Sequence, residues 1–131
     1  ETLDLVIIGA TWGEGKRAKW LSSFTIACRD KNELLNIGRV STGISEINTD
    51  LTYANLTKAL KPLIKEQKGK YVTVKPKIIF EIAYDEVQKS PTYSSGFALR
   101  FPRVVKIRND LGFNDVDSID RVKKFFKEQN K

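Results

Sequence analysis

Runs of hydrophobic residues divide most of the chain into β-strands. Residues 3–10, LDLVIIGA, form an uninterrupted apolar run, which is typical of a strand buried on both faces. Residues 22–29 and 33–40 alternate apolar and polar positions on either side of a short turn, which predicts a hairpin. Further strands are predicted over residues 70–77, ending near Pro76, and over residues 77–84.

The stretch FALRFPRVVKIRND, residues 97–110, predicts a final strand with an unusual interior. Strict alternation assigns one face to Phe97, Leu99, Phe101, Arg103, Val105 and Ile107, and the other to Ala98, Arg100, Val104, Lys106 and Arg108. Pro102 lies in the middle, although a proline cannot donate a ladder hydrogen bond. The many cations and the internal proline both require an explanation.

Two segments have helical periodicity. A helix is predicted from about residue 50 to residue 67, with Thr49 as its N-cap and Pro62 bending or splitting it. Its apolar face is Tyr53, Leu56, Leu60, Leu63 and Ile64, and its lysine face is Lys58, Lys61, Lys65 and Lys68. Residues 115–129, DVDSIDRVKKFFKEQ, predict an amphipathic terminal helix with acids at its start and lysines at its end.

This order of elements predicts a mainly β fold. Three strands, a helix and about three more strands fit an OB-fold, a five-stranded Greek-key barrel with a helix between strands 3 and 4, here followed by a C-terminal α-helix. We expect one domain over residues 1–131, with the barrel in residues 1–110 and the C-terminal helix in residues 114–129. Because the chain does not begin with methionine, we interpret it as a piece of a longer protein.

Composition limits the kinds of partner and of catalytic or metal site that the chain can have. The net charge of +7 and the pI of about 9.5 favour an anionic partner, most often nucleic acid. The chain has no histidine, which excludes nucleophile–histidine dyads and histidine-ligated zinc. The one cysteine, Cys28, shares a predicted face with Phe24 and Ile26, so we expect a buried structural thiol in a reducing compartment. No apolar run reaches the ~18 residues of a membrane helix, and no membrane partner is expected.

The loop after the first strand superficially matches two nucleotide-binding motifs. Residues 13–18, GEGKRA, fit G-x-G-x-x-[GA], with Glu33 near the ribose-binding position, but no helix is predicted to begin at this loop. The P-loop pattern also fails, because five residues separate Gly9 from Gly15 and Arg17 stands where Ser or Thr is required. Neither nucleotide-binding motif is therefore predicted.

The cations of this loop suit a less specific role. Lys16, Arg17 and Lys19 lie between Trp12 and Trp20, so the loop combines charges for phosphate contact with rings for base stacking. The alternative is an ordinary surface loop with one tryptophan held by the core. Residue types alone do not separate these two interpretations.

Four segments in order resemble the C-terminal OB domain of ATP-dependent DNA ligases, especially archaeal and eukaryotic replicative-type enzymes: LDLVIIGATWGEGKRA, STGIS, KSPTYSSG and FALRFPRVVKIRND. The resemblance covers nearly the whole chain and implies a complete enzyme that seals nicks in duplex DNA with ATP and Mg²⁺, neither bound tightly by this domain alone. The family's catalytic lysine lies in a K-x-D-G motif of an upstream nucleotidyltransferase domain. This chain contains no K-x-D-G, so no catalytic residue is expected in it, and alone it should be inactive.

The resemblance also implies residue roles. DNA contact is assigned to Lys16, Arg17, Lys19, Arg100, Phe101 and Arg103, with Phe101 as a wedge in the minor groove. In a second orientation of the domain, contact with the ATP phosphates during adenylation is assigned to Arg100, Arg103, Lys106 and Arg108. Alternation places Phe101 in the core instead, and Pro102 would resolve this conflict by interrupting the strand.

The end of the last strand departs from the family's motif in one position. Arg108 and Asp110 match the start of the family's R-x-D-K ending, but Leu111 replaces the lysine and puts one phosphate contact in doubt. No metal site is predicted. The acids at the terminal helix, Asp115, Asp117 and Asp120, are interpreted as helix-start residues that dock on the neighbouring domain.

The expected partners are nicked duplex DNA and the upstream nucleotidyltransferase domain, with a sliding clamp left open. The expected location is the cytoplasm, at the nucleoid, for an archaeal enzyme and the nucleus for a eukaryotic one. Three alternatives remain: a stand-alone single-strand nucleic-acid-binding OB module, the OB domain of an RNA-capping guanylyltransferase, and a basic interaction domain without a nucleotide role.

Overall fold

The computed structural model describes residues 1–44 and 51–130. This part of the chain contains nine β-strands and two α-helices, and every strand pairing is antiparallel. The elements are β1 (Thr2–Trp12), β2 (Leu21–Asp30), β3 (Glu33–Val40), α1 (Tyr53–Leu60), β4 (Ile64–Lys68), β5 (Tyr71–Val74), β6 (Ile79–Ala83), β7 (Glu86–Lys89), β8 (Phe97–Arg100), β9 (Arg103–Ile107) and α2 (Ile119–Gln129).

Five of these strands form the OB circuit, paired in the order β3-β2-β1-β6-β9. Its two ends meet where the Val104 N–H donates to the Thr42 carbonyl at 2.9 Å. The β4–β5 hairpin extends the sheet from the C-terminal half of β1, and β7 pairs only with β8. Because α1 lies between the third and fourth strands of the circuit, the predicted OB-fold is confirmed.

The barrel interior is filled by side chains that alternate along the strands. Leu3, Leu5 and Ile7 of β1 are fully buried, and the rings of Phe24 and Phe80 meet edge to face at 5.7 Å. A second, smaller cluster lies outside the barrel and consists of Val6, Ala27, Ile79 and Val116, with Ile8, Leu34 and Leu111 partly buried against it. The segment after β9 therefore covers an apolar patch on the outer face of the sheet.

The predicted helix over residues 50–67 is wrong in its second half. Helix α1 ends at Leu60, Pro62 lies in a 3-10 turn, and residues 64–68 form β4. Pro62 cannot continue the helical hydrogen bonds, and Ile64 instead pairs with Val74 of β5. The N-cap is Thr52, whose hydroxyl accepts from the Asn55 N–H at 3.0 Å; the predicted cap, Thr49, lies outside the described residues.

The single strand predicted over residues 97–108 is two strands in two sheets. β8 pairs with β7, and β9 pairs with β6. A β-bulge at Val105 then shifts the alternation by one residue, since Lys106 pairs with Glu81 while Val104 pairs with Ile82. Val104 is consequently buried and Val105 exposed, and the exposed residues of β9 include Arg103 and Lys106.

The terminal helix is present but begins later than predicted. Ser118 caps α2 by accepting from the Arg121 N–H at 3.2 Å, and residues Phe113–Asp115 form a separate 3-10 turn. The ring of Phe126 lies 5.3 Å from that of Phe97, and the Gln129 amide pairs with both backbone groups of Val87. No helix within residues 1–44 and 51–130 is long and apolar enough to cross a membrane.

Candidate nucleic-acid interface

The break between β8 and β9 projects an aromatic ring from the barrel. We call residues 100–103, with the sequence RFPR, the kink. Phe101 has a φ of +50° and is 63% exposed, although it is a large apolar residue. A left-handed backbone costs a residue other than glycine about 1–2 kcal/mol, so surrounding contacts must impose it. Strain combined with exposure marks Phe101 as a candidate functional residue.

Hydrogen bonds to three consecutive carbonyls impose this conformation. The donors are the Asp85 N–H to the Arg100 carbonyl at 2.9 Å, the Arg103 guanidinium to the Phe101 carbonyl at 3.0 Å, and the Thr42 hydroxyl to the Pro102 carbonyl at 2.7 Å. Thr42 also accepts from the N–H of Val104. The kink is therefore fixed from both sides, by the start of the β7–β8 hairpin and by the segment that follows β3.

Two arginines flank the projecting ring. The Arg100 guanidinium lies 5.1 Å from the centroid of the Phe101 ring and 3.3 Å from Glu86, its partner in the β7–β8 register. Arg103 contacts Asp85 at 3.1 Å. About half of each arginine side chain is exposed, and ion pairs of this kind contribute only about 0–1 kcal/mol. Both guanidinium groups are thus free to exchange a carboxylate for a phosphate at low cost.

The other two cations predicted to contact ATP phosphates are Lys106, in β9, and Arg108, just after its end. Lys106 is 4.0 Å from Glu81, and Arg108 is bound by Asp4 at 3.2 Å and by both oxygens of Asp110. Arg108 follows Arg103 by five residues, which is roughly 16 Å along a strand. Because Arg100 lies on β8, in the other sheet, the four cations do not surround a single point.

Arg108 is held more firmly by its carboxylate partners than Arg100 and Arg103 are by theirs. Its side chain is only 24% exposed, and its hydrogen bonds to Asp110 lower the pKa of that carboxyl. Burial raises the pKa of Asp4, against the opposite effect of Arg108. Leu111, which replaces the motif's lysine, packs on the outer cluster with Val6 and Ile79. Residues 108–111, which match the motif, therefore anchor the segment after β9 to the barrel.

The loop between β1 and β2 supplies a second group of cations. We call residues 13–20 the basic loop; it contains a 3-10 turn, Gly15–Arg17, and then enters β2, so no helix follows the apparent nucleotide motif. Lys16 and Lys19 are exposed. The Arg17 guanidinium lies 4.6 Å from the centroid of the Tyr53 ring, and the Trp20 ring is parallel to Tyr53 at 6.2 Å.

A groove lies between the basic loop and the segment after β3, next to the kink. We call it the linking groove; it is lined by Arg17, Ser22, Ser23, Ser41, Thr42, Gly43, Ile44 and Tyr53. Arg17 belongs to the basic loop and Thr42 binds the Pro102 carbonyl, so the lining includes one residue of the basic loop and one that contacts the kink. Residue-type reasoning did not assign a role to Thr42 or Gly43, although they lie in the STGIS segment that carried part of the family resemblance.

The acidic residues of this region do not form a cation site. Among residues 1–44 and 51–130, no group of three or more Cys, Asp or Glu is arranged to hold a metal ion. Asp4 and Asp110 are bound to Arg108, and Asp117 accepts from the Asp4 N–H and from Arg121. The residues described here do not fit Mg²⁺, and we derive no step through a metal bound to this chain.

Cys28 is a structural thiol, and we expect it to react very slowly with thiol reagents. It is fully buried, and burial raises the pKa of its thiol to about 11. At pH 8 the thiolate fraction is then about two orders of magnitude below that of a free cysteine. Reaction with a disulfide reagent should be at least a hundredfold slower in buffer than after unfolding in guanidinium. Equal rates in the two conditions would contradict this environment for Cys28.

Comparisons with known proteins agree on a family and a fold. The family model described as "ATP dependent DNA ligase C terminal region" matches residues 17–111. A DNA ligase of Nanoarchaeum equitans is 54% identical over 98% of this chain and 24% of its own length, and one of Archaeoglobus fulgidus is 51% identical over 98% of this chain and 23% of its own length. The chain spans about a quarter of the length of the curated relatives it matches.

A solved structure extends the similarity to three dimensions. The crystal structure of the ligase domain from M. tuberculosis LigD matches with a TM-score of 0.71 and 27% identity, over 88% of this chain and 38% of that one. The family match ends at Leu111, so α2 lies beyond it. The fold and the sequence therefore point to the same group of proteins.

Proposed function

Because the chain belongs to the family of ATP-dependent DNA ligases, as their C-terminal region, we propose that it is the OB domain with which such an enzyme grips nicked duplex DNA. This membership confirms the resemblance inferred from the four sequence segments. The proposed activity of the complete enzyme is the sealing of nicks with ATP. The covalent step then belongs to an upstream nucleotidyltransferase domain, which is one partner of this chain, and DNA is the other.

The observation that carries the proposal is the geometry of Phe101. An exposed apolar ring on a strained backbone, with the Arg100 guanidinium beside the ring and the Arg103 guanidinium bonded to its backbone carbonyl, fits insertion into the minor groove with the arginines on neighbouring phosphates. A wedge there favours an opened, A-like groove that aligns the two ends of a nick. The basic loop, whose Arg17 lines the linking groove, would contact the DNA backbone with Lys16, Arg17 and Lys19.

A second orientation of the same domain would serve adenylation. Arg100, Arg103 and Lys106 are exposed at the surface of the domain, and a guanidinium group can bind two phosphate oxygens at once. Arg108 would join them by exchanging Asp4 and Asp110 for phosphate oxygens. Phosphoryl transfer gains mainly from positioning and from neutralised charge, to which Mg²⁺ bound with ATP contributes in the complete enzyme.

The alternative functions fit less well. A single-strand-binding module needs several exposed rings along one face, but the exposed large hydrophobic residues in the described part of the chain are Phe101 and Val105. The similar curated relatives are DNA ligases, which favours a ligase over an RNA-capping enzyme. A basic interaction domain would not explain why the fold holds an exposed phenylalanine at a positive φ.

Weak, salt-dependent binding of duplex DNA by the 131-residue chain tests the proposal. With about four phosphate contacts, the slope of log K against log salt should be near −3.6, since each contact contributes about −0.9. Replacing Arg100 and Arg103 together with glutamine should reduce the slope by about 1.8. Fluorescence anisotropy with a labelled nicked duplex measures both values. A flat salt titration of the unmodified chain would contradict the proposal.

A further inference from the structure

The cations of the kink and of the segment after it are paired with acids. Each lies within 4.0 Å of a carboxylate: Arg100 with Glu86, Arg103 with Asp85, Lys106 with Glu81, and Arg108 with Asp4 and Asp110. Several exposed lysines form no ion pair within residues 1–44 and 51–130, and three of them, Lys19, Lys58 and Lys61, lie close together near α1.

These three lysines surround one groove. We call it the lysine groove; it is lined by Lys19, Trp20, Ala54, Thr57, Lys58 and Lys61. Lys19 comes from the basic loop, whereas Lys58 is in α1 and Lys61 immediately follows it. Among residues 1–44 and 51–130, no carboxylate lines this groove. The acid of the basic loop, Glu14, is bound to Lys70 at 2.5 Å, so it does not neutralise the lysines.

The fold fixes the basic loop against α1. The Leu21 N–H donates to the buried Thr57 hydroxyl at 2.8 Å, which ties the start of β2 to the helix. The Thr57 hydroxyl in turn donates to the Tyr53 carbonyl at 2.7 Å. Trp20, which follows Lys19, stacks on Tyr53 and accepts from the Gly13 N–H through its carbonyl. The backbones that carry the three lysines are therefore held in a fixed relation.

Helix stability explains only part of this arrangement. Lys58 and Lys61 lie at the C-terminal end of α1, where a positive charge interacts favourably with the helix dipole. Lys19 is in the basic loop rather than in α1, so the helical position of Lys58 and Lys61 does not explain why a third lysine joins them. Three lysines close together repel one another and raise the local positive potential. A bound anion would offset this repulsion. Ammonium groups act as point charges, so they suit phosphates better than base edges.

We propose that the lysine groove binds the phosphodiester backbone of duplex DNA as a second anchor, in addition to the kink. The inference rests on the proposed function, because it assumes that this domain grips duplex DNA. It adds Lys58 and Lys61 of α1 to the DNA-contacting residues and extends the contact surface from the basic loop along the helix. Trp20 forms a wall of the groove beside Lys19, and the phosphates lie between the loop and α1.

The test compares salt titrations of variants of the 131-residue chain. Lys58→Gln with Lys61→Gln should reduce the slope of log K against log salt by about 1.8, because two phosphate contacts are lost. The matched control is Lys123→Gln with Lys124→Gln, which removes the same charge from exposed positions on α2 and should change the slope by less than half as much. Anisotropy with a labelled nicked duplex measures each slope, and thermal melting checks that each variant is folded.

The outcomes separate this inference from the proposed function. If Arg100→Gln with Arg103→Gln weakens binding while the Lys58 and Lys61 variant keeps the slope of the unmodified chain, the second anchor is wrong and the proposed function stands. If the α2 control loses as much slope as the groove variant, binding follows net charge, and the second anchor is also wrong. If the unmodified chain does not bind duplex DNA, both proposals fail.

Discussion

Replacing Phe101 with alanine in the full-length ligase is expected to lower the rate of nick sealing about a hundredfold and to leave self-adenylation within about twofold. The proposed wedge would act only when DNA is bound, and a displacement of reacting ends by about 1 Å is enough to cost two orders of magnitude. In the proposed second orientation, self-adenylation would require the cations that contact ATP but not the ring of Phe101. The ring is 63% exposed and takes no part in the ion pair between Arg103 and Asp85, so its removal should leave that cation in place.

Two measurements and one control decide this prediction. Single-turnover sealing of a nicked duplex reports the DNA-dependent step, and incorporation of labelled AMP reports adenylation. Val105→Ala is the matched control, since Val105 is the second exposed large hydrophobic residue in the described part of the chain and is 49% exposed. It should leave both rates nearly unchanged. Equal losses of sealing and adenylation in Phe101→Ala would exclude the wedge and indicate general damage to the domain.

The kink shows where sequence patterns lose their predictive value. Alternation correctly assigned Phe97 and Leu99 to the core, because both precede the interruption. Beyond it, the positive φ of Phe101 and the bulge at Val105 each change the phase of the strand. A proline signals such a break, but the bulge depends on pairing with β6, which is distant in sequence. Period-two counting therefore fails at the segment that carries the proposed function.

The same limit explains the error in α1. Leu60, Leu63 and Ile64 continue a helical period, so local propensity gives no reason to end the helix before Pro62. The segment after Pro62 becomes β4 because β5, already paired with β1, offers it a free edge. Such long-range pairing outweighs local propensity and is not visible in a window of sequence.

Residue types predicted which cations belong to the site but not how these cations are paired. The charge surplus and the RFPR element pointed to Arg100, whose guanidinium lies 5.1 Å from the centroid of the Phe101 ring, and to Arg103, whose guanidinium donates to the Phe101 carbonyl. Their partners Glu86 and Asp85 precede them by 14 and 18 residues, so only the fold reveals that these cations are paired. The lysine groove is a second case, because the sequence shows a lysine face on the helix but not that Lys58 and Lys61 lie beside Lys19 of a distant loop.

Gly43→Ala is expected to destabilise the domain by about 3 kcal/mol, which is the second large effect. Gly43 has a φ of +91°, where a Cβ costs about 1–2 kcal/mol. That Cβ would lie 2.2 Å from the carbonyl oxygen of Val104 and 2.7 Å from its nitrogen, so the backbone must move, at a further cost of about 1–3 kcal/mol. The movement would separate Thr42 from Val104 and from Pro102, which opens the barrel circuit and releases the kink.

Thermal melting should show a decrease in Tm of roughly 10 °C for Gly43→Ala, at about 3–4 °C for each kcal/mol in a chain of this size. Gly69→Ala is the matched control, because Gly69 also has a positive φ, +59°, but has no atom within 4 Å of its added Cβ. Its stability should fall only by the cost of a Cβ at a positive φ, about 1 kcal/mol, and its Tm by a few degrees.

Because Thr42 links Gly43 to the kink, Gly43→Ala should also weaken DNA binding at temperatures well below its Tm, whereas Gly69→Ala should not. Equal melting temperatures for the two variants would mean that contact between Gly43 and Val104 does not close the barrel.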